Sequence, residues 1–200
     1  GSAELIREAK DRGINVTAEV TPHHLTLTEE MVEKAGTLAK VNPPLRTAAD
    51  VAALMRALKE GVIDIIATDH APHAAQDKAG EFEAAACGIS GLETAFGSLM
   101  ALVHGGQLTL AELVLRLTAS PARLLGRSDL GTLAVGAAAD LVLFDPEKEW
   151  QVIPERFYSK GHNTPLAGAG LRGKIMETVR GGRLVHSDPA LKITGGEVTP

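Results

Sequence analysis

Apolar side chains recur along this chain in two rhythms, and the change between them divides it. From Glu4 to Arg12, Leu5, Ile6 and Ala9 share one helical face, and Gly13 stops the helix. The β-branched run Ile14 to Val20 predicts a strand ending at Thr21-Pro22-His23-His24. A short helix is expected from Glu29 to Ala35, capped by Thr28 and ended by Gly36, before the loop Asn42-Pro43-Pro44-Leu45-Arg46. Thr47 and Asp50 have capping-box spacing, and Val51, Leu54, Met55 and Leu58 recur at helical intervals, which predicts a helix over Thr47 to Glu60. Gly61 ends it. Val62 to Thr68 is almost continuously apolar, as in a strand buried on both faces of a parallel sheet. Helices follow at Gly91 to Val103 and Thr109 to Thr118, the second with a Thr109/Glu112 box and a Leu108/Leu113 staple. Ser120-Pro121 opens one more short helix, closed by Gly126.

From Gly131 onward the period shortens. Ala139 to Phe144 reads as a strand, and Lys174 to Arg180, Gly181-Gly182 and Arg183 to His186 read as a hairpin. The expected organisation is therefore an α/β region over 1–130, followed by a β region over 131–200. The opening residues already read as helix, so a preceding segment is expected, and Gly1-Ser2 reads equally as native sequence or a cloning remnant.

Composition narrows the functional classes. At 200 residues, 44% hydrophobic and 22% charged, the chain can bury a core. Its net charge of -5 is dispersed, with no basic cluster to bind nucleic acid. No apolar run approaches the roughly 18 residues of a membrane span, and no secretory leader is evident. The single cysteine, Cys87, excludes an internal disulfide framework. A small polar substrate and a reducing, cytoplasmic compartment are expected.

Functional groups of α/β folds collect where parallel strands end, and two such ends are rich in histidine here. His23, His24, Asp69, His70 and His73 are all ligand types that suit zinc. His23 and His24 also suit a structural role, bonding backbone after a proline. Asp69 stands apart, because a carboxylate ending an apolar strand is costly to desolvate unless a cation or donor meets it. The other histidines, His104, His162 and His186, read as surface or structural residues, and Arg46 as a solvated charge ahead of a helix. Cys87 reads as a small buried filler, since no motif around it would activate a thiolate.

The segments Ala18-Glu19-Val20-Thr21-Pro22-His23-His24, Lys40-Val41-Asn42-Pro43-Pro44-Leu45-Arg46 and Ala67-Thr68-Asp69-His70-Ala71-Pro72-His73 together resemble the type I dihydroorotases of the amidohydrolase superfamily. The likeness continues through Gly88-Ile89-Ser90-Gly91-Leu92-Glu93-Thr94-Ala95, Ala119-Ser120-Pro121-Ala122-Arg123 and Asn163-Thr164-Pro165. It implies the carboxyl-terminal part of a TIM-like (β/α)8 metal-dependent hydrolase barrel, plus strands of a small β-sandwich domain. It also implies one or two zinc ions per site, with Asp69 as metal ligand and catalytic acid/base. Asn42, His73 and the backbone of Cys87 and Gly88 would contact the substrate.

The activity so implied is reversible hydrolysis of dihydroorotate to N-carbamoyl-L-aspartate in pyrimidine biosynthesis. Of the family's ligands only Asp69 has a counterpart here, so the other ligands are expected in a missing amino-terminal segment, and this chain is expected to be inactive alone. Possible assemblies are a homodimer or a complex with aspartate transcarbamoylase. Two other readings are a different cyclic amidohydrolase, such as a hydantoinase or allantoinase, and a non-catalytic scaffold that binds aspartate transcarbamoylase.

Overall fold

The capping boxes read from the sequence set two of the longer helices. The structure is a computed structural model that describes residues 1–189 and 191. Helix α4 (Ala48–Lys59) begins where Thr47 Oγ1 accepts the Asp50 N–H at 3.2 Å and Asp50 accepts the Thr47 N–H at 3.3 Å. Helix α7 (Leu110–Leu117) has the same arrangement between Thr109 and Glu112. Each cap is worth about 1 kcal/mol. Leu108 and Leu113, the two staple residues, are both buried in the core.

Helix α1 (Ser2–Asp11) leads to β1 (Glu19–Val20), which pairs in parallel with β2 (Ile65–Ile66). Backbone bonds from Asp64 N–H to Ala18 and from Ala67 N–H to Val20 extend the pairing at both ends, by 2.9 and 3.1 Å. The regular strands are shorter than the runs Ile14 to Val20 and Val62 to Thr68, because ladder bonding reaches only this far among the described residues. The ammonium of Lys10 on α1 meets Asp64 at 2.8 Å, and Asp64 also accepts the Ala18 N–H at 2.8 Å. That half-exposed contact fixes α1 against the start of β2.

Between the strands lie α2 (Pro22–Thr26), α3 (Glu30–Ala35), a 3₁₀ turn (Gly36–Ala39) and α4. Beyond β2 come α5 (Ala75–Lys78), α6 (Ala95–His104), α7 and α8 (Ala119–Leu124). The main core gathers Val20 and Ile66 of the strands, Leu58 of α4, Leu99 and Met100 of α6, and Leu113 of α7. A smaller cluster, Leu27, Ala39, Val41, Leu45 and Ile89, lies beneath the loop that carries Asn42.

The carboxyl-terminal region is an antiparallel sheet in the order β3 (Leu141–Gln151), β4 (Gly170–Arg180), β5 (Arg183–Ser187). The expected hairpin forms across Gly181-Gly182, and β3 runs seven residues past the predicted Phe144, since Glu149 to Gln151 still pair with β4. This sheet packs on α6 through a Phe96–Phe144 ring contact at 4.8 Å, and Trp150 donates its indole N–H to Gly173 at 3.0 Å.

Candidate active site

Asp69 lies three residues past β2, with a left-handed backbone at φ 47°. It has the only positive φ outside glycine among the described residues. Such conformations cost roughly 1–3 kcal/mol in general, least for Asp and Asn, and gather at functional sites. Its side chain is exposed and bonds to no described residue. Contrary to expectation, the Asp69 carboxylate is not desolvated: the apolar run ends before it, and it is open to solvent.

The next residue is locked in place. The Leu92 N–H donates to His70 Nδ1 at 3.2 Å, so Nε2 carries the proton and faces Ser159 Oγ at 3.3 Å. With both ring nitrogens engaged and a parallel bridge from His70 to Ile89, the strand end that presents Asp69 is anchored on two sides.

His73 is half-buried, with Nε2 3.0 Å from the Cys87 carbonyl oxygen. A carbonyl only accepts, so Nε2–H donates and Nδ1 is the nitrogen left for a ligand. His73 and the backbone of Cys87 and Gly88 are thus brought together. Gly88 is required here: at φ 144° a Cβ would stand 2.5 Å from Ala71 Cβ and 3.0 Å from His73 Nε2. Gly161 presses on the other side of the same loop, where a Cβ would come within 2.5 Å of Pro72 Cβ. Of the polar backbone groups at 87–88, the Gly88 N–H is already donated to Lys40 at 2.9 Å. The Cys87 N–H donates to no described residue. The Cys87 side chain is exposed, not the buried filler expected, because the chain turns it outward between half-buried Ala86 and buried Gly88.

Asn42 is exposed on its loop. His24 holds that loop: Nε2–H donates to the Pro43 carbonyl at 2.9 Å, and Thr21 Oγ1 donates to Nδ1 at 2.6 Å. Thr21 also caps α2 by accepting the His24 N–H, a helix that Thr21 with Pro22 at its first position could have announced. His23 is buried at 6% exposure, and its Nε2 finds no hydrogen-bond partner. Burial and then the neighbouring His24 lower its pKa from 6.5 to about 4. His24 thus braces the Asn42 loop, and His23 is packed in the interior. Arg46 faces Asp50 at 3.8 Å on the surface, while His104 caps the Pro146 carbonyl at 3.0 Å and His162 is exposed.

Two residues that residue-type reasoning left aside organise this site. Lys78 is 4% exposed, and its ammonium donates to the carbonyls of Ala86 at 2.7 Å, Gly88 at 3.0 Å and Lys40 at 3.2 Å. Burial lowers its pKa. Asn163, 4% exposed, joins the 71–73 and 88–90 segments. A separate cavity of about 650 Å³, lined by Phe96, Trp150, Tyr158 and His186, contains none of the predicted site residues. Among the described residues no three His, Cys, Asp or Glu side chains stand close enough together to hold a metal.

A parallel β-pair flanked by helices presents an exposed Asp just past a strand end, with a histidine-bearing loop beside it, as a metal-dependent hydrolase of α/β class would require. The chain belongs to the amidohydrolase family, which it matches over residues 1–185. It is 54% identical to the dihydroorotase of Anaeromyxobacter dehalogenans over 190 residues, 94% of this chain and 44% of that protein. It is 51% identical to the dihydroorotase of Pelotomaculum thermopropionicum, over 96% of this chain and 45% of that one. The chain thus spans less than half the length of these relatives. Among solved structures it resembles the L-hydantoinase (dihydropyrimidinase) of Arthrobacter aurescens, with TM-score 0.87 and 33% identity over 92% of this chain and 42% of the other. A D-hydantoinase resembles it at TM-score 0.84 and 27% identity, over 94% of this chain and 43% of the other.

Proposed function

We propose that this chain is the carboxyl-terminal part of a dihydroorotase, opening and closing the ring of dihydroorotate. The observation that carries the reading is identity near one half to dihydroorotases across almost the whole chain. It is supported by the Asp69 to His73 loop, which leaves a carboxylate and one imidazole nitrogen open to a ligand. In this reading residues 1–130 are the last strands and helices of a (β/α)8 barrel, and the region from 131 onward is part of a β-sandwich domain, of which 190 and 192–200 lie outside the described residues.

Asp69 suits a zinc ligand: it is exposed, unpaired and presented from an anchored backbone. Catalytic zinc usually takes three protein ligands, so an amino-terminal segment would supply the others. Bound zinc would contribute Lewis acidity and a water acidic enough to ionise near neutral pH. Asp69 takes the proton from the attacking water and delivers it to the ring nitrogen as the C–N bond breaks. In ring closure it takes the proton from that nitrogen and gives it to the departing hydroxyl, which leaves as water. His73, through Nδ1, and Asn42 bind the substrate carboxylate, and the Cys87 N–H donates to the ring. The partners that remain proposals are a second copy of the chain and aspartate transcarbamoylase.

A second reading, a hydantoinase, is favoured by the fold likeness to hydantoinases. The chain assembled with an amino-terminal segment should be offered dihydroorotate, hydantoin and allantoin. Preferred turnover of dihydroorotate is expected; turnover of hydantoin alone would remove the first reading.

A further inference from the structure

Asn163 stands about ninety residues from the loop it holds, and all four hydrogen-bonding positions of its amide are used. Oδ1 accepts the His73 N–H at 2.8 Å and the Ser90 hydroxyl at 2.7 Å. Nδ2 donates to the carbonyls of Ala71 at 3.0 Å and Gly88 at 3.1 Å. Its own carbonyl accepts the Ser90 N–H at 2.8 Å. Two donors face Oδ1 and two acceptors face Nδ2, so only one amide orientation fits.

We propose that Asn163 is a positioning residue for substrate binding, setting His73 and the Cys87–Gly88 backbone in one fixed relation. The proposal rests on the dihydroorotase reading for the identity of the substrate. Asn163 touches no group assigned to the chemistry except through backbone, so it acts through His73 and Gly88. An aspartate cannot replace it, because a carboxylate would face two carbonyl oxygens. A serine or alanine cannot span both loops. Lys78 gives the Gly88 carbonyl a second donor and also bonds the Ala86 carbonyl, so the 86–88 segment is held from both ends. The Gly161 backbone, two residues before Asn163, packs on Pro72 and leaves the 71–73 loop no room to shift toward it.

A misplacement near 1 Å can cost up to about a hundredfold in catalytic efficiency. In the assembled enzyme, Asn163→Ala is expected to raise KM for dihydroorotate about tenfold or more, with kcat falling less. Val152→Ala, a core truncation outside the site, serves as the control. It should lower the amount of folded enzyme and leave KM unchanged, which is what a merely structural role for Asn163 would also produce. Amide hydrogen exchange at His73 should accelerate in Asn163→Ala and not in Val152→Ala. If Asn163→Ala does not fold, Asn163→Asp keeps the acceptor, removes both donors, and should raise KM in the same sense. Unchanged KM in a folded Asn163 variant overturns the proposal. If the unsubstituted enzyme does not turn over dihydroorotate, the dihydroorotase reading fails instead. The exchange measurement still decides this proposal, and unaltered exchange at His73 overturns it.

Discussion

Removing the imidazole of His23 should flatten the dependence of stability on pH, and the size of the effect follows from its burial. His23 is 6% exposed with Nε2 unpartnered, and its pKa falls from 6.5 to about 4 on folding. The unfolded chain binds a proton at His23 as the pH drops through 6.5, whereas the folded chain resists until about 4. The unfolded state therefore gains protons first, and stability present above pH 6.5 is lost as the pH falls toward 4. Between pH 7 and 5 this linkage amounts to about 2 kcal/mol, approaching about 3 kcal/mol below pH 4. The assay is urea denaturation of the chain and of His23→Leu at pH 7 and pH 5. Other carboxylates and histidines titrate equally in both proteins, so the difference between the two isolates His23. The unsubstituted chain should lose about 2 kcal/mol more than the variant on acidification. Equal losses would show that His23 is not held neutral by its surroundings.

Asp69→Asn in the assembled enzyme should lower turnover by roughly 10²–10⁴-fold, the usual worth of a positioned acid/base. The same substitution should leave unfolding stability within about 0.5 kcal/mol, since the side chain is exposed and unbonded; steady-state kinetics and urea denaturation read the two effects. Leu99→Ala should cost about 2–5 kcal/mol in a denaturation midpoint, because Leu99 is fully buried in the main core. Gly161→Ala should raise KM for dihydroorotate, because the added methyl must displace Pro72 and the His73 backbone; an unchanged KM would show that the 71–73 loop is not fixed from that side.

Local chemistry made much of the fold legible. The boxes at Thr47/Asp50 and Thr109/Glu112 and the glycine pair at 181–182 each require only neighbouring residues, and each forms where expected. Strand extent was less legible, because a ladder depends on the partner: Ile14 to Thr17 are β-branched at three of their four positions yet lie outside β1. The loop at Asp69 to His73 could be found from residue types, but not its exposure, which depends on where the apolar run turns away from the core. Cys87 misled for the same reason, a small apolar residue turned outward between less exposed neighbours. Asn163 and Lys78 were beyond reach of spacing rules. Their importance lies in backbone groups contributed by distant segments, and an asparagine before Thr-Pro or a lysine at a helix end carries no such signal on its own.

Zinc content and dihydroorotate turnover should be measured for this chain, alone and after assembly with the amino-terminal part of the Anaeromyxobacter dehalogenans dihydroorotase. Neither stoichiometric zinc nor turnover is expected for the chain alone, and both are expected for the assembly, with turnover lost in Asp69→Asn. Stoichiometric zinc and turnover in the chain alone would overturn the assignment of the other ligands to an amino-terminal segment, and an assembly that binds zinc and leaves dihydroorotate intact would overturn the dihydroorotase reading.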